Sequence, residues 1–365
     1  MPWLFWVVVV RPTPKYAGLF GMDVSTRSLT PDQRPHFDPQ DLDLFKQAAE
    51  CQCPMDLREM CDGWKESGLP NIESATALLY DRILRRGENR LFLESVLDVP
   101  AQPQMDFVVV GIVPGAFYRE HKNTGADGAR ITAILQELGL STEVVPVHSF
   151  GRVEENARII NEWVQAQTRQ VLLVTLSKGG ADVKTALKLG GVEAWGRVRA
   201  WVNLSGLVHG TPLIAWLRRQ PLRMVGVRIL LWLRGQSFTA ADDLQHGEEG
   251  FLTGWPPLPK TLRLVHVLAF PLRRHLRHRW AFRAYKRLAP LGPNDGGGIL
   301  LVDAARLPGI ICPLWVLDHY LEPDWDATPL LRNILLASLV PNSDTMLLGD
   351  SGPSCEPIHS SAGKT

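Results

Sequence analysis

The sequence predicts an α/β fold, with a mostly parallel central sheet and helices on both of its faces. From about residue 106 onward, short continuous apolar runs alternate with segments of helical periodicity. Repeated strand–helix units of this kind form parallel sheets, and apolar runs without polar alternation indicate strands buried on both faces. A chain of 365 residues, 45% of them hydrophobic and 21% charged, is long enough to bury the core that such a sheet requires.

The residues before this region, 1–100, are predicted to form a helical N-terminal extension. Ser74 is expected to cap a helix that runs to Arg86 and stops at Gly87. An earlier helical face is indicated by Leu42, Phe45 and Ala49. The proline-rich segment 98–103 predicts the boundary to an α/β domain spanning 101–340.

The two ends of the chain carry weaker signals. The apolar stretch 3–10 is too short to span a bilayer and lacks a signal-peptide pattern. A strand, a membrane-touching end and translation from a start at Met22 stay open as interpretations of it. The segment 341–365 is rich in Ser, Pro and Gly and is expected to be a disordered tail.

Six strands are predicted in the α/β domain, at 107–113, 142–148, 171–176, 198–204, 262–270 and 310–317. Two amphipathic helices connect the first three strands, and Gly139 is expected to end the first of them. Their buried faces are predicted to contain Ile131, Ile134, Leu135 and Leu138 in the first helix, and Val153, Ala157, Ile160 and Val164 in the second.

The alternation stops between about 211 and 260, where two apolar segments with interspersed arginines indicate amphipathic helices. They are expected either to form an inserted cap over a site or to pack as ordinary surface helices. The segment 271–287 interleaves basic and aromatic residues. Such a pattern fits nucleic acid or an anionic membrane, but in a chain with a net charge of +1 a solvated helix face is favoured.

A candidate nucleophile stands at the end of the third strand. The run from Val171 to Leu176 leads directly into Ser177, which is followed by Lys178, Gly179 and Gly180. A serine on a tight turn between a buried strand and a helix is the arrangement of a nucleophile elbow. Thr175 occupies a position that normally holds glycine, and threonine is at the upper size limit there. The alternative interpretation is that Ser177 caps the following helix.

A serine nucleophile requires a base and an acid, which in such a sheet come from loops after later strands in the order Ser, Asp, His. His319 follows the sixth strand, and Asp295 lies in a glycine-rich loop after the fifth. Asp303 remains a competitor as the acid. Asp318 is disfavoured, because neighbouring strand side chains point to opposite faces. Other histidines at strand or loop positions are His148 and His209, whereas solvated roles are expected for His275 and His278.

Backbone N–H groups that could stabilise an oxyanion are also predicted. The N–H of Lys178 lies at a helix N-terminus in front of Ser177. A second donor is expected from the loop after the first strand, with Ala116 favoured and Gly115 next.

Taken together, residues from about Asp106 to Pro323 resemble the α/β-hydrolase superfamily, in particular its lipase-like branch. The elbow 175–180 is similar to the pattern G-H-S-K/M-G-G, from which Thr175 and Leu176 depart. Pro114-Gly115 stands where those lipases carry His-Gly. Further similarities are Gly210-Thr-Pro-Leu213 to G-T-P-L and Asn294-Asp295-Gly296 to the N-D-G that bears the catalytic acid. The resemblance implies a Ser177–His319–Asp295 triad and ester hydrolysis through an acyl-enzyme.

The expected function is therefore that of a serine ester hydrolase acting on a lipophilic acyl ester, a small molecule or a lipid. An acyltransferase with the same triad and a non-catalytic binding protein on this scaffold are the alternatives. No metal or nucleotide motif is visible, so no cofactor is predicted, and nucleic acid is not an expected partner. Peripheral membrane contact and the oligomeric state are left open. Five cysteines, with Cys51, Cys53 and Cys61 clustered, fit reduced thiols in the cytoplasm better than disulfides or a zinc site.

Overall fold

The computed structural model describes residues 39–50, 71–97, 108–247, 250–322 and 326–339. Several predictions concern residues outside these ranges and stay predictions. They involve the apolar stretch 3–10, the cluster of Cys51, Cys53 and Cys61, the boundary segment 98–103 and the tail 341–365.

The described sheet has six strands, all parallel, in the order β2-β1-β3-β4-β5-β6. Leu172, Leu173 and Val174 are consecutive in β3 and all fully buried, so both faces of the sheet are covered. The predicted α/β class is confirmed. The strands are β1 (Val108–Val113), β2 (Ser141–Val144), β3 (Gln170–Leu176), β4 (Val198–Leu204), β5 (Arg263–Phe270) and β6 (Ile310–Trp315).

Two strands end earlier than predicted, for local reasons. β2 stops at Val144, two residues before Pro146, which has no N–H to donate to a neighbouring strand. β6 stops at Trp315 because Val316 turns into the left-handed region at φ 74°. β6 also contains Pro313 and lies at an edge of the sheet, where a strand tolerates proline.

The helices follow the strands as the alternation predicts. The helix after Ser177 is long and changes direction at Gly191, where φ is 73°. The described α-helices are α1 (Pro39–Glu50), α2 (Ile72–Leu84), α3 (Gly87–Leu97), α4 (Ala129–Glu137), α5 (Val153–Ala166), α6 (Lys178–Ala194), α7 (Leu213–Arg218), α8 (Pro221–Leu233), α9 (Thr239–Asp242), α10 (Arg279–Leu288) and α11 (Thr328–Leu339).

The helices before the sheet share its hydrophobic core. Phe45 of α1 and Tyr80 of α2 pack against Trp315, with ring centroids 4.7 and 5.1 Å from that of the tryptophan. The predicted helix boundaries in this region were wrong at both ends. Asn71 and not Ser74 caps α2, because the Asn71 side chain accepts the N–H of Ser74 at 2.9 Å.

The end of α2 also differs from the prediction. α2 ends at Leu84, and Gly87 begins α3 instead of stopping the preceding helix. Of the predicted apolar face of α1, Phe45 is buried, and the side chains of Leu42 and Ala49 lie outside the described part.

The segment between β4 and β5 contains α7, α8 and α9, at the place where the sequence predicts inserted helices. α8 is buried at Leu231 but exposes most of its other side chains. In the described ranges, no helix combines the length and apolar character needed to cross a bilayer.

Candidate active site

Ser177 lies on a strained turn between β3 and α6. Its backbone has φ 47° and ψ −115°, a conformation that costs on the order of 1–3 kcal/mol for a residue with a side chain. The turn also requires a glycine: a Cβ at Gly179 would lie 2.5 Å from the carbonyl oxygen of Val113. The Ser177 hydroxyl makes no capping hydrogen bond to α6, so the helix-cap interpretation is wrong.

The structure brings Ser177, His319 and Asp295 together from three loops at the carboxyl edge of the sheet. The His319 Nε2 atom lies 3.0 Å from the Ser177 Oγ atom. The His319 Nδ1 atom lies 2.6 Å from the Asp295 Oδ2 atom. The histidine therefore bridges hydroxyl and carboxylate through its two ring nitrogens, which is the geometry of a proton relay with an oriented base.

The glycine-rich loop holds the Asp295 carboxylate, which is fully buried. Its Oδ1 atom accepts the N–H groups of Gly297, Gly298 and Ile299 at 2.8, 3.0 and 2.9 Å. This leaves Oδ2 for His319. The backbone also ties the two loops, since the N–H of His319 donates to the carbonyl of Asp295 at 2.8 Å.

Gly297 is required for the approach of the imidazole. A Cβ at this position would lie 1.8 Å from the His319 Cγ atom, a distance that no pair of non-bonded carbon atoms adopts. The glycine in this loop thus makes room for the His319 imidazole, in addition to donating an N–H group to the Asp295 carboxylate.

The charges around His319 favour its protonated form. Burial lowers the pKa of His319, but the charge and hydrogen bond of Asp295, with the nearby Asp318, outweigh it, so the pKa lies above its ordinary value. Burial raises the pKa of Asp318 to about 6, opposed by the Tyr320 N–H and His319. Sequence reasoning missed this influence of Asp318, because it considered the residue only as a rival acid.

Asp318 does not hold His319, although the reason differs from the one predicted. The two residues follow the end of β6 and are not part of a strand. The Asp318 Oδ1 atom instead accepts the N–H of Tyr320 at 3.0 Å, which closes a local turn that presents His319.

Thr175 is accommodated by a polar network below the elbow. Its hydroxyl donates to the Asn203 Oδ1 atom at 2.8 Å and accepts the Trp201 indole N–H at 3.0 Å. Thr175 and Asn203 are register partners on β3 and β4, and all three side chains are fully buried. The position that holds glycine in the resembling pattern therefore holds a hydroxyl with both of its hydrogen-bonding roles satisfied.

The oxyanion-loop predictions can be compared with the backbone contacts. The Gly115 N–H donates to the carbonyl of Ala126 at 2.8 Å, and that of Phe117 to the carbonyl of Ser149 at 2.9 Å. The N–H groups of Ala116 and Lys178 have no partner among the described residues. A Cβ at Gly115 would lie 3.3 Å from the Ser177 Cβ atom, so this loop lies directly beside the serine.

The side chain of Lys178 points away from solvent. It is buried, and its Nζ atom lies 2.6 and 2.9 Å from the two oxygens of Asp182, one turn further along α6. Asn156 of α5 donates to the same carboxylate at 2.9 Å. This ion pair fixes the first turn of α6 against α5, and the i, i+4 spacing of Lys178 and Asp182 is the sequence signal that could have revealed it.

The other candidate acid lies elsewhere. The Asp303 Oδ2 atom is 2.8 Å from the His246 Nε2 atom, so it binds a histidine of the inserted segment instead of His319. His148 is exposed on a loop. Burial lowers the pKa of His209 to about 4 and keeps its ring neutral.

The two histidines near α10 have structural contacts. The prediction of a solvated role for His275 was wrong, because its ring is mostly buried, with Nε2 3.5 Å from the Asp41 Oδ2 atom and Nδ1 accepting the N–H of Leu272. His278 caps α10 by accepting the N–H of Trp280 at 3.3 Å.

An apolar groove of about 500 Å³ is lined mainly by residues of α7 and α8. Ile214 of α7 and Val227 of α8 line the groove and also belong to the apolar cluster that contains Ala116 and Phe117. Phe117 in turn stacks on Phe150, with ring centroids 4.3 Å apart. The inserted helices and the loop after β1 therefore pack against the same apolar cluster.

Comparisons with solved structures agree with this architecture. A metagenomic carboxyl esterase, MGS0156, has a TM-score of 0.50 and 21% identity over 66% of this chain and 76% of its own. The mature lipase BlEst2 of Bacillus licheniformis has a TM-score of 0.46 and 20% identity over 61% of this chain and 89% of its own. Neither a protein-family model nor a curated protein matches the sequence. The all-parallel sheet and the similarity to the carboxyl esterase show an esterase-like α/β-hydrolase fold.

Proposed function

We propose that the protein is a serine ester hydrolase in which Ser177 is the nucleophile, His319 the base and Asp295 the acid. The observation that carries the proposal is the continuous hydrogen-bonded chain from the Ser177 Oγ atom through His319 to the Asp295 carboxylate. The similarity in fold to a carboxyl esterase supports the same reaction class. A non-catalytic scaffold has no need for a strained serine aligned with a buried base and acid.

In the proposed reaction, the Ser177 hydroxyl attacks the ester carbonyl while His319 Nε2 takes its proton. Asp295 holds the Nδ1–H and stabilises the imidazolium. The tetrahedral intermediate collapses when His319 returns the proton to the departing alkoxide, which leaves as an alcohol and leaves the acyl group on Ser177. Water, deprotonated by His319, then attacks the acyl-enzyme and releases the carboxylic acid and the free serine.

The oxyanion would be stabilised by the backbone N–H groups of Ala116 and Lys178. Both are without a protein acceptor among the described residues, and both flank Ser177. Lys178 begins α6, so its N–H also carries the positive end of the helix dipole. One such donor is worth about a hundredfold or more in kcat in comparable sites.

The groove supports an ester with an apolar acyl group as the substrate, with the acyl group bound in the groove. Its lining is almost entirely apolar, with Leu213, Trp216, Leu217 and Leu230 beside Ile214 and Val227. Ile214 and Val227 line the groove and pack against the same apolar cluster as Ala116, so an acyl chain bound there would extend from the side on which the proposed oxyanion donors lie. The same geometry would serve acyl transfer to an alcohol, which competition between an added alcohol and water would reveal.

A chromogenic ester series tests the proposal. We expect the wild type to hydrolyse p-nitrophenyl esters, with kcat/KM rising with acyl length, and Ser177→Ala to lose at least about a thousandfold in kcat. Ser205→Ala is the matched control, because Ser205 is also a buried strand-end serine with positive φ, at 46°, whose hydroxyl has no described partner. Equal turnover by wild type and Ser177→Ala would refute the assignment.

A further inference from the structure

α8 carries a continuous apolar stripe on its solvent side. Four of its members follow at intervals of three and four residues, and the fifth lies four residues after the third, so all five lie on one face of the helix. They are Leu222, Val225, Ile229, Trp232 and Leu233, with exposed fractions of 89, 52, 53, 74 and 68%. Leu231 anchors the opposite side of the helix in the protein. A contiguous exposed apolar surface of this kind marks an interaction site.

Cations border the stripe. Between Leu213 and Arg234 the sequence contains no Asp or Glu but five arginines, at 218, 219, 223, 228 and 234. Arg223 and Arg228 flank the stripe on its two sides and lie over the rings of Trp216 and Phe238, at 5.4 and 5.0 Å from the ring centroids. These contacts hold the guanidinium groups close to the apolar surface while leaving them exposed.

α10 extends the same surface. The Arg287 guanidinium lies over Trp216 at 4.1 Å, on the ring that Arg223 also contacts. Burial, followed by the charges of Arg223 and Arg283, lowers the pKa of Arg287. α10 also exposes Trp280 and Phe282 among its basic residues. Cations from the two helices are thus close enough to repel one another, and an anionic partner would relieve this repulsion.

We propose that the stripe of α8 and the adjoining basic surface of α10, together the docking face, bind a bilayer that contains anionic phospholipid. Trp232 and the aliphatic residues would enter the boundary between headgroups and acyl chains, and the arginines would meet the phosphates. A second copy of the chain is a poor occupant, because a symmetric contact would bring the same arginines together. Nucleic acid offers no match for the apolar centre of the face.

The orientation of the docked protein determines how far the groove lies from the membrane. Val227 and Leu230 of α8 line the groove, and so do Arg223 and Arg287 of the docking face. A docked protein would therefore hold the groove near the lipid surface. Docking itself does not rest on the proposed catalysis, and Ser177→Ala is expected to bind vesicles as the wild type does.

Vesicle flotation with the full chain tests the docking face. We expect the protein to float with phosphatidylcholine vesicles that contain phosphatidylserine, and much less with phosphatidylcholine alone, with binding weakened by salt. Trp232→Ser with Leu233→Ser should weaken binding at least about tenfold through lost apolar insertion. Arg228→Gln with Arg283→Gln should weaken binding to the anionic vesicles at least about tenfold, because each cation near such a surface contributes roughly fivefold.

The controls lie on α3, which also exposes an apolar and a basic side chain. Leu91→Ser with Arg90→Gln should bind vesicles as the wild type does, and thermal melting should show all variants folded. Absence of binding to the anionic vesicles, or equal binding by the docking-face and control variants, would overturn the proposal. So would a wild-type dimer in light scattering that Trp232→Ser converts to a monomer, because the face would then join two copies.

Discussion

The carboxyl edge of the sheet and the helices inserted after β4 differ in the exposure of their side chains. At the edge, Asp295 is fully buried and each of its carboxylate oxygens has a described hydrogen-bond partner. On α8, the side chains of Leu222 and Trp232 are 89 and 74% exposed. Hydrogen bonds therefore hold the Asp295 carboxylate in one position at the edge, whereas α8 leaves apolar surface available to a partner.

The two regions meet at the loop after β1. Ala116 belongs to the apolar cluster of the inserted helices, and its neighbour Gly115 lies against Ser177. Substitutions at the carboxyl edge should therefore change turnover and leave membrane binding unchanged. Substitutions in the exposed stripe of α8 should weaken membrane binding and leave the turnover of a soluble ester unchanged.

Among substitutions that keep Ser177, His319 and Asp295, the largest effect is expected from filling the space beside the His319 ring. Gly297→Ala would force His319 away from Ser177, because the added Cβ overlaps the imidazole. Displacing a catalytic group by about 1 Å costs on the order of a hundredfold, so kcat should fall at least that far with KM little changed. Steady-state kinetics measure this.

Gly87→Ala is the control, since no atom lies within 4 Å of a Cβ at that position. Its turnover should match that of the wild type. If Gly297→Ala retained full activity, His319 would not be required at its present position.

A smaller effect is expected below the elbow, on stability. Thr175→Val keeps the shape of the side chain but leaves the Asn203 carbonyl and the Trp201 indole N–H without the hydroxyl. Leaving such groups unpaired in the core should lower the free energy of unfolding by about 1–3 kcal/mol. Denaturant unfolding measures it.

The conservative variant sharpens this experiment. Thr175→Ser retains the hydroxyl and should cost clearly less stability than Thr175→Val. Equal losses in the two variants would show that the methyl group, and not the hydrogen bonds, supports the elbow.

The smallest effect concerns the pH dependence of activity. In the proposed reaction His319 acts as a base only when it is neutral, so activity should fall as the pH drops through its pKa. The charge of Asp318 contributes to raising that pKa, and Asp318→Asn should therefore move the acidic limb of kcat/KM to lower pH. Asp303 contacts His246 and not His319, so Asp303→Asn should leave the acidic limb of kcat/KM at the same pH. A shift to higher pH in Asp318→Asn would contradict this electrostatic account.

Much of the edge could be predicted because it depends on local patterns. The apolar run before Ser177 and the glycines after it define β3 and its turn, and strand order places Asp295 and His319 at the same edge. What remained hidden depends on partners distant in sequence. Thr175 fits because the register of β3 on β4 brings Asn203 beside it. The His275 ring is mostly buried in a contact with Asp41, a residue that lies far earlier in the chain.

The inserted helices show a different limit. The apolar periodicity of α8 predicts an amphipathic helix, but periodicity does not say whether the apolar side faces the protein or the solvent. Here α8 has apolar residues on both sides and only Leu231 is buried. The predicted start of α2 was wrong for a related reason. Asn71 and Ser74 are both residue types that cap helices well, and the path of the chain into α2 determines which of them does so.

Labelling with a fluorophosphonate probe, followed by mass mapping of the modified peptide, tests most directly whether Ser177 is an activated nucleophile. We expect the wild type to be labelled at Ser177, Ser177→Ala to be unlabelled, and His319→Ala to react far more slowly because the serine has lost its base. Failure of the folded wild type to react, or undiminished labelling of Ser177→Ala, would contradict the assignment of Ser177 as an activated nucleophile.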